Sequence, residues 1–133
     1  MSGKPVRFEP AWVKEAVALA VHDRQLAEHG GGVGVRDRGG LNSALARPRN
    51  RWENGEDDLA VLAAAYAFGI VRNHPFVDGN KRSGWVVANL FLELNGSGLA
   101  FNEVEAIGVV ESLAAGDLTE DELADWFREK IAR

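Results

Sequence analysis

Apolar residues recur at helical spacing along much of the chain, in runs that glycine, proline and asparagine separate. The first run, from Pro10 to about His29, predicts an amphipathic helix with Pro10 in its first turn. Its apolar positions are Trp12, Val13, Ala16, Val17, Leu19, Ala20 and Leu26. A run of three glycines at 30–32 ends this helix, and residues 1–8 are expected to form a short extended or disordered lead.

The next part of the chain is rich in turn residues. Residues 33–40 predict a connector, and Leu41 to Ala46 predict a short helix that Pro48 stops. The pair Asn54-Gly55 is a strong hairpin signal, so a small β-hairpin with short strands is expected around it.

The second half of the chain predicts four more helices. The near-continuous apolar run from Leu59 to Val71 indicates a helix that is buried on several faces, capped by the pair Asp57-Asp58. The other three helices run from about Lys81 to Leu94, from Asn102 to Ala115, and from Thr119 to about Ile131. The pattern therefore predicts one all-α domain over residues 1–133, an orthogonal bundle of about six helices with one small hairpin.

The composition is that of an ordinary globular domain. Of the 133 residues, 46% are hydrophobic and 26% are charged, the formal net charge is −5, and cysteine is absent. Without thiols the chain can form neither disulfides nor thiolate metal sites, which fits a reducing cytoplasm. We see no signal peptide and no apolar run long enough for a membrane, and the negative charge argues against nonspecific binding of nucleic acid.

The side chains suited to catalysis are concentrated between His74 and Trp85, in the stretch HPFVDGNKRSGW. Pro75 disfavours a helical backbone at the residue before it, so the preceding helix is expected to end there. Gly79-Asn80 is typical of a turn, and Asn80 is placed to cap the helix that follows. The stretch is therefore predicted to be a loop between two helices.

This loop has the chemistry of a phosphate site. The free N–H groups of a helix N-terminus attract anions, and Lys81 and Arg82 add positive charge to that position. Asp78 beside bound phosphates would be a natural ligand for Mg²⁺. His74 is the residue type that best serves as a general base near neutral pH. The combination predicts a reaction at a nucleotide phosphate.

The stretch resembles the core motif of the Fic/Doc superfamily, whose Fic branch reads HPFx(D/E)GNGRxxR. Seven positions match: His74, Pro75, Phe76, Asp78, Gly79, Asn80 and Arg82. Lys81 replaces a glycine of the Fic form and is the mark of the Doc branch, the toxins of toxin–antitoxin pairs, while Trp85 replaces the last arginine. Residues 39–48 are also similar to the family's lead-in, so the resemblance covers most of the chain.

The resemblance implies a Fic-like fold and an enzyme that uses ATP and Mg²⁺ to modify a hydroxyl of a target protein. His74 would be the general base and Asp78 the metal ligand. The phosphates would be held by Gly79, Asn80, Lys81 and Arg82. Doc-type members transfer the γ-phosphate to a threonine of elongation factor Tu and so block translation, whereas Fic-type members transfer AMP. Lys81 favours phosphate transfer, and AMP transfer is the alternative.

The resemblance also bears on regulation. Many Fic proteins restrain themselves through a helix that carries (S/T)xxxE(G/N), whose glutamate pairs with the last arginine of the motif. In this chain no serine or threonine is followed by glutamate four residues later, and the last arginine is missing. We therefore expect a separate antitoxin protein that acts in trans.

Other interpretations remain open. Residues Arg49, Asn50, Arg51 and Trp52 lie where the family has a flap, a hairpin that holds the target's backbone beside the active site; the alternative is an exposed loop. The same basic run could bind RNA, although acidic residues follow at once. The adjacent pair His22-Asp23 favours a structural role over a catalytic one, because neighbouring helical residues face different directions. A non-catalytic interaction module is the other functional class.

Overall fold

The computed structural model describes residues 6–132, most of which belong to six α-helices. The helices are α1 (Glu15–His29), α2 (Arg38–Glu53), α3 (Leu59–Asn73), α4 (Asn80–Leu94), α5 (Glu103–Ala115) and α6 (Glu120–Lys130). The predicted all-α class is confirmed. Of the predicted lead, residues 1–5 lie outside the described part. None of the six helices is both long and apolar enough to cross a lipid bilayer.

Helix α3 forms the centre of the bundle. Ten of its fifteen residues are buried: Ala60, Leu62, Ala63, Ala64, Ala65, Tyr66, Ala67, Gly69, Ile70 and Val71. Helices α2, α4 and α6 pack around it, α5 contacts it less, and α1 packs against α4. The small residues of α3 allow close approach, because a Cβ at Gly69 would lie only 3.1 Å from Ala44 of α2.

Helix α1 begins at Glu15, five residues later than predicted. The residues before it are extended, since side chains from the rest of the bundle bind their N–H groups. The N–H of Ala11 donates to Asn95 Oδ1 at 2.8 Å, and the N–H of Val13 donates to the hydroxyl of Tyr66 at 2.9 Å. These bonds take the place of a first helical turn.

Helix α2 continues through Pro48, where the sequence predicted its end. Its buried residues recur at i, i+3, i+4 and i+7, a spacing that places them on one face: Leu41, Ala44, Leu45 and Pro48. In addition, Arg47 and Arg51 both pair with Glu120 of α6. We attribute the continuation of the helix to this packing, which opposes a proline penalty of about 3 kcal/mol.

The hairpin predicted at Asn54-Gly55 is wrong, because these residues end α2. Asn54 is the C-cap, its side-chain amide donates to the carbonyl of Asn50 at 2.9 Å, and Gly55 has a φ of +106°. Residues 49–52 are therefore helical and form no flap strand. Within residues 6–132 the β pairing is limited to two isolated bridges, Val35 with Phe76 and Leu99 with Ile131.

Three predicted helix caps are present. The side chain of Asp58 accepts from the second residue of α3, that of Asn102 accepts at the start of α5, and Thr119 and Glu122 form the predicted capping box of α6. Helix α4 differs from the prediction. Its N-cap is Gly79, with no side-chain cap bond. Asn80, the residue expected to cap it, lies inside the helix.

Candidate functional site

The loop between α3 and α4 opens into a cleft of about 720 Å³. All six motif residues predicted for catalysis, phosphate and metal line it: His74, Asp78, Gly79, Asn80, Lys81 and Arg82. The apolar part of the lining comes mostly from α4 and α5: Trp85, Val86, Phe101, Ala106, Ile107 and Val110. The cleft therefore combines a polar loop with an apolar wall, and its volume is typical of small-molecule sites.

His74 ends α3 in a left-handed conformation, with φ 49° and ψ 52°. Among residues 6–132 it is the only residue other than glycine with a positive φ. Such a backbone is uncommon and has to be held by its surroundings. Arg36 holds it, since Nε and Nη2 of Arg36 donate to the His74 carbonyl at 2.9 and 2.6 Å. The imidazole is left exposed at the cleft.

Asn80 is buried, and its side chain connects Phe76 with His74. Its Oδ1 accepts from the N–H of Phe76 at 2.9 Å, and its Nδ2 donates to the carbonyl of Phe76 at 3.0 Å. These two bonds fix which way the amide faces. The second hydrogen on Nδ2 is then directed at Nδ1 of His74, 3.2 Å away. With Nδ1 as the acceptor, a neutral His74 carries its hydrogen on Nε2.

Asp78 lies at the tip of the loop, with both carboxylate oxygens near backbone N–H groups. Oδ1 accepts from Gly79 at 2.9 Å, and Oδ2 is 3.4 Å from the nitrogen of Gly32. A Cβ at Gly31 would lie 2.9 Å from Oδ2, and the φ of Gly31 is +125°, so glycine is required there. The glycine run after α1 therefore ends the helix and also packs against the motif loop at Asp78.

The donor set suits Mg²⁺ held jointly by protein and phosphate. Residues 6–132 contain no group of three or more histidine, cysteine, aspartate or glutamate residues that could hold a metal ion. Mg²⁺ is usually bound through one or two carboxylates together with water and phosphate oxygens. Asp78 supplies a carboxylate of this kind in the same cleft as the N-terminus of α4.

The N-terminus of α4 has the features expected of an anion site. No side chain caps the helix, so its first N–H groups are open. The side chain of Arg82 is exposed, and its guanidinium has no hydrogen-bond or ion-pair partner among the described residues. Lys81 pairs with Glu111 of α5, its Nζ lying 3.1 and 3.2 Å from the two carboxylate oxygens. A bound phosphate would meet backbone dipoles and two cations.

Residues 49–52 do not line this cleft. Asn50 and Arg51 line a separate cavity of about 280 Å³ beside α2 and α3. Arg49 lies over the ring of Trp12, 5.5 Å from its centroid, and Trp52 packs edge-on against the same ring at 6.2 Å. The segment therefore packs against the N-terminal part of the chain.

Three residues that no local sequence pattern reveals contact the motif loop. Arg36 and Glu111 contact the motif from distant elements, and His22 of α1 bonds to its backbone. The structural role expected for His22 agrees with its burial, and Asp23 beside it is exposed. No local motif connects these positions with the loop, so their contacts could be found only from the fold.

Comparison with known proteins gives consistent matches. The family model described as Fic/DOC family matches residues 12–92. The chain is 40% identical over 100 residues to "Toxin Doc" of Mycolicibacterium smegmatis, covering 71% of this chain and 76% of the relative. It is 32% identical over 111 residues to "Protein kinase doc" of Escherichia phage P1, covering 83% and 87%.

Proposed function

Because this chain belongs to the Fic/DOC family as a Doc-like toxin, we propose that it transfers the γ-phosphate of ATP to a serine or threonine hydroxyl of a target protein. The observation that carries the proposal is Lys81, a cation at the uncapped N-terminus of α4 in the same cleft as His74 and Asp78. The relative from phage P1 is named a protein kinase, which supports the same reaction.

The anion site would bind the triphosphate. The open N–H groups of α4 and the guanidinium of Arg82 supply positive potential without rearrangement. Lys81 adds a long side chain where the family's Fic form has glycine. Its stem takes space that an α-phosphate would need, while its ammonium attracts the more highly charged γ end. ATP would then present its γ-phosphate to the target hydroxyl.

Asp78 would hold Mg²⁺ against the phosphate oxygens, and the bound ion would neutralise charge on the transferring group. The protein's own contribution is to orient that carboxylate. Its Oδ1 is held by the N–H of Gly79 at 2.9 Å, which leaves the remaining lone pairs for a cation.

His74 would accept the proton of the target hydroxyl. For this its Nδ1 has to be free of the contact with Asn80. Its lone pair lies on Nδ1, which Asn80 contacts at 3.2 Å. Since the Asn80 amide is held by Phe76, we propose that the imidazole rotates on substrate binding and gives up this long contact. Catalytic hydrogen bonds are often long before substrate binds.

The target would dock against the segment around Val35. This segment pairs with Phe76 of the motif loop, and exposed apolar side chains flank it: Val33 is 81% exposed and Val77 is 53% exposed. Main-chain pairing along such a segment would place a target hydroxyl near His74. By family resemblance the target is elongation factor Tu in the cytoplasm, and a cognate antitoxin would neutralise the toxin in trans.

AMP transfer is the runner-up reaction, because Pro75 and Gly79 are shared with the Fic form of the motif. The second arginine of that form is replaced by Trp85. The Trp85 ring packs among Phe101, Trp126 and Phe127 at centroid distances of 5.5 to 5.6 Å. Trp85 cannot clamp a second phosphate as the arginine of the Fic form would, which favours phosphate transfer.

A labelling experiment tests the proposal. The purified chain is incubated with elongation factor Tu and ATP labelled either on the γ- or on the α-phosphate, with a His74→Asn variant as control. We expect label on the target from γ-labelled ATP only, and none with the variant. Label from α-labelled ATP would support AMP transfer, and Mg²⁺-ATP binding without any labelling would favour the non-catalytic module.

A further inference from the structure

His22 is a buried titratable side chain for which the proposed reaction has no direct use. It is 2% exposed and is one of two buried residues of α1, with Ala18. Its Nε2 lies 2.8 Å from the backbone oxygen of Asp78. Its ring stacks on Phe76, with 3.8 Å between centroids and 6° between planes. A helix far from the motif in sequence therefore contacts the motif loop in two ways.

The hydrogen bond has one direction. A carbonyl oxygen can only accept, so Nε2 of His22 carries a hydrogen and donates it to Asp78. The same peptide group is held at its other end, because the N–H of Gly79 donates to Asp78 Oδ1 at 2.9 Å. Both ends of the Asp78–Gly79 peptide are thus hydrogen-bonded. These bonds orient the Asp78 carboxylate and also Gly79, the left-handed N-cap residue of α4.

The stacking of His22 on Phe76 supports the part of the loop that precedes Asp78. The backbone of Phe76, beneath the imidazole, forms two hydrogen bonds with the side-chain amide of Asn80, and that amide in turn contacts His74. A Cβ at Gly79 would lie 3.7 Å from the His22 ring, so the loop lies directly on the imidazole. His22 therefore contacts the backbone of Asp78, the proposed metal ligand, and the ring of Phe76, which anchors the proposed phosphate-binding turn.

We propose that His22 is a positioning residue for the phosphate and metal site. By donating from Nε2 to the Asp78 carbonyl, it holds the Asp78–Gly79 peptide in the orientation that presents the carboxylate and the α4 N–H groups to Mg²⁺-ATP. The inference rests on the proposed function for its ligand, and it requires no proton transfer by His22.

Two variants test separately the hydrogen bond from His22 Nε2 and the stacking of the His22 ring. In His22→Gln the amide nitrogen can reach the position of Nε2 and donate, but the stack is lost. In His22→Phe the stack is kept and the donor is lost. Asp23→Asn, a change at the adjacent exposed residue of α1, is the matched control. All four proteins are compared by thermal melting, by hydrogen exchange of the amides at 79–82, and by calorimetry of Mg²⁺ binding in the presence of ATP.

We expect His22→Phe to melt as a folded protein, to exchange the 79–82 amides faster, and to bind Mg²⁺ roughly 10-fold or more weakly, as is usual when a residue that orients a metal ligand is lost. His22→Gln should recover most of that affinity, and the control should match the unmutated protein. If folded His22→Phe keeps normal exchange and affinity, or if folded His22→Gln is as impaired as His22→Phe, the proposal is overturned.

A measurement on the unmutated protein keeps the proposal testable should His22→Phe fail to fold. Nitrogen NMR of the His22 imidazole is expected to show hydrogen on Nε2, protected from exchange with solvent. A tautomer with hydrogen on Nδ1 alone would overturn the proposal. Failure of the proposed function has a different signature: the unmutated chain would not bind Mg²⁺-ATP, while the NMR and amide-exchange results would still report on the loop.

Discussion

The ammonium group of Lys81 lies 3.1 Å from Oε2 of Glu111, so an ion pair joins the start of α4 to α5 at the cleft. The two side chains are 48% and 62% exposed. Pairs this exposed contribute less than about 1 kcal/mol. ATP carries several negative charges and can therefore take Lys81 from Glu111. In the absence of nucleotide the pair holds Lys81 within the cleft.

The first prediction concerns this competition. Glu111→Gln should strengthen ATP binding by up to about fivefold, since Lys81 would no longer be shared with a carboxylate. AMP, with fewer charges, should gain less. Calorimetry with ATP and AMP measures both effects, and Glu93→Gln, an exposed change on α4, controls for net charge. Unchanged or weaker ATP binding by Glu111→Gln would show that Glu111 does not compete for Lys81.

The general base gives a second prediction. His74→Asn is preferred to alanine because asparagine tolerates the left-handed backbone at this position, where φ is 49°. The variant should fold and bind ATP, yet its transfer rate should fall by about 10²–10⁴-fold. Single-turnover transfer with saturating ATP is the measurement. A variant that kept nearly full activity would leave His74 with only its role as the end of α3.

A third prediction addresses the metal. Asp78→Asn keeps an oxygen that can accept from the N–H of Gly79, so the loop should retain its shape. It loses the charge that attracts Mg²⁺, so transfer should need a higher Mg²⁺ concentration than in the unmutated protein. Activity is measured against Mg²⁺ concentration for both proteins. Equal transfer by the unmutated protein in excess EDTA would remove the metal from the mechanism.

Ser83 provides a prediction about stability. Its hydroxyl oxygen is buried and has no hydrogen-bond partner among the described residues. An unpaired buried hydroxyl is unfavourable, so Ser83→Ala should raise the free energy of unfolding by about 1 kcal/mol. Urea denaturation compares it with Ser43→Ala, an exposed helical serine that reports the gain from helix propensity alone. Equal gains in the two variants would mean that the Ser83 hydroxyl carries no penalty.

A pH-dependent prediction follows from Tyr66, the only tyrosine of the chain. Burial raises the pKa of Tyr66 from 10.0 to about 12, partly offset by the hydrogen bond from Val13. Because folding favours the neutral phenol, this stability is fully present below pH 10 and is lost as the pH rises towards 12. The loss should reach roughly 2–3 kcal/mol. Tyrosinate absorbance in the folded protein should titrate well above its midpoint in urea, and coincident midpoints would contradict the prediction.

The motif loop could be predicted from sequence because its determinants are local. Pro75 and Gly79 constrain the backbone within a few residues of the side chains that they position. The same holds for the capping residues Asp58 and Thr119, whose partners lie two or three positions away. The structure confirms the loop and both caps, although two other local signals, the cap at Asn80 and the hairpin at Asn54-Gly55, gave wrong predictions.

Other features depend on contacts between distant parts of the chain. Pro48 lies inside α2 because it is itself the last residue of the buried face and because Arg51 beyond it pairs with Glu120, and neither contact is visible in local spacing. In the same way, the bonds from His22 and Arg36 to the loop span 56 and 38 residues. Tertiary packing decided these positions.

We propose that Lys81 directs the γ-phosphate to the target. Mass spectrometry of elongation factor Tu after reaction with ATP tests it, because phosphate adds about 80 Da and AMP about 329 Da to the modified residue. We predict a phosphate adduct with the unmutated chain. With Lys81→Gly we predict that phosphate transfer is lost. An AMP adduct made by the unmutated chain would contradict the claim.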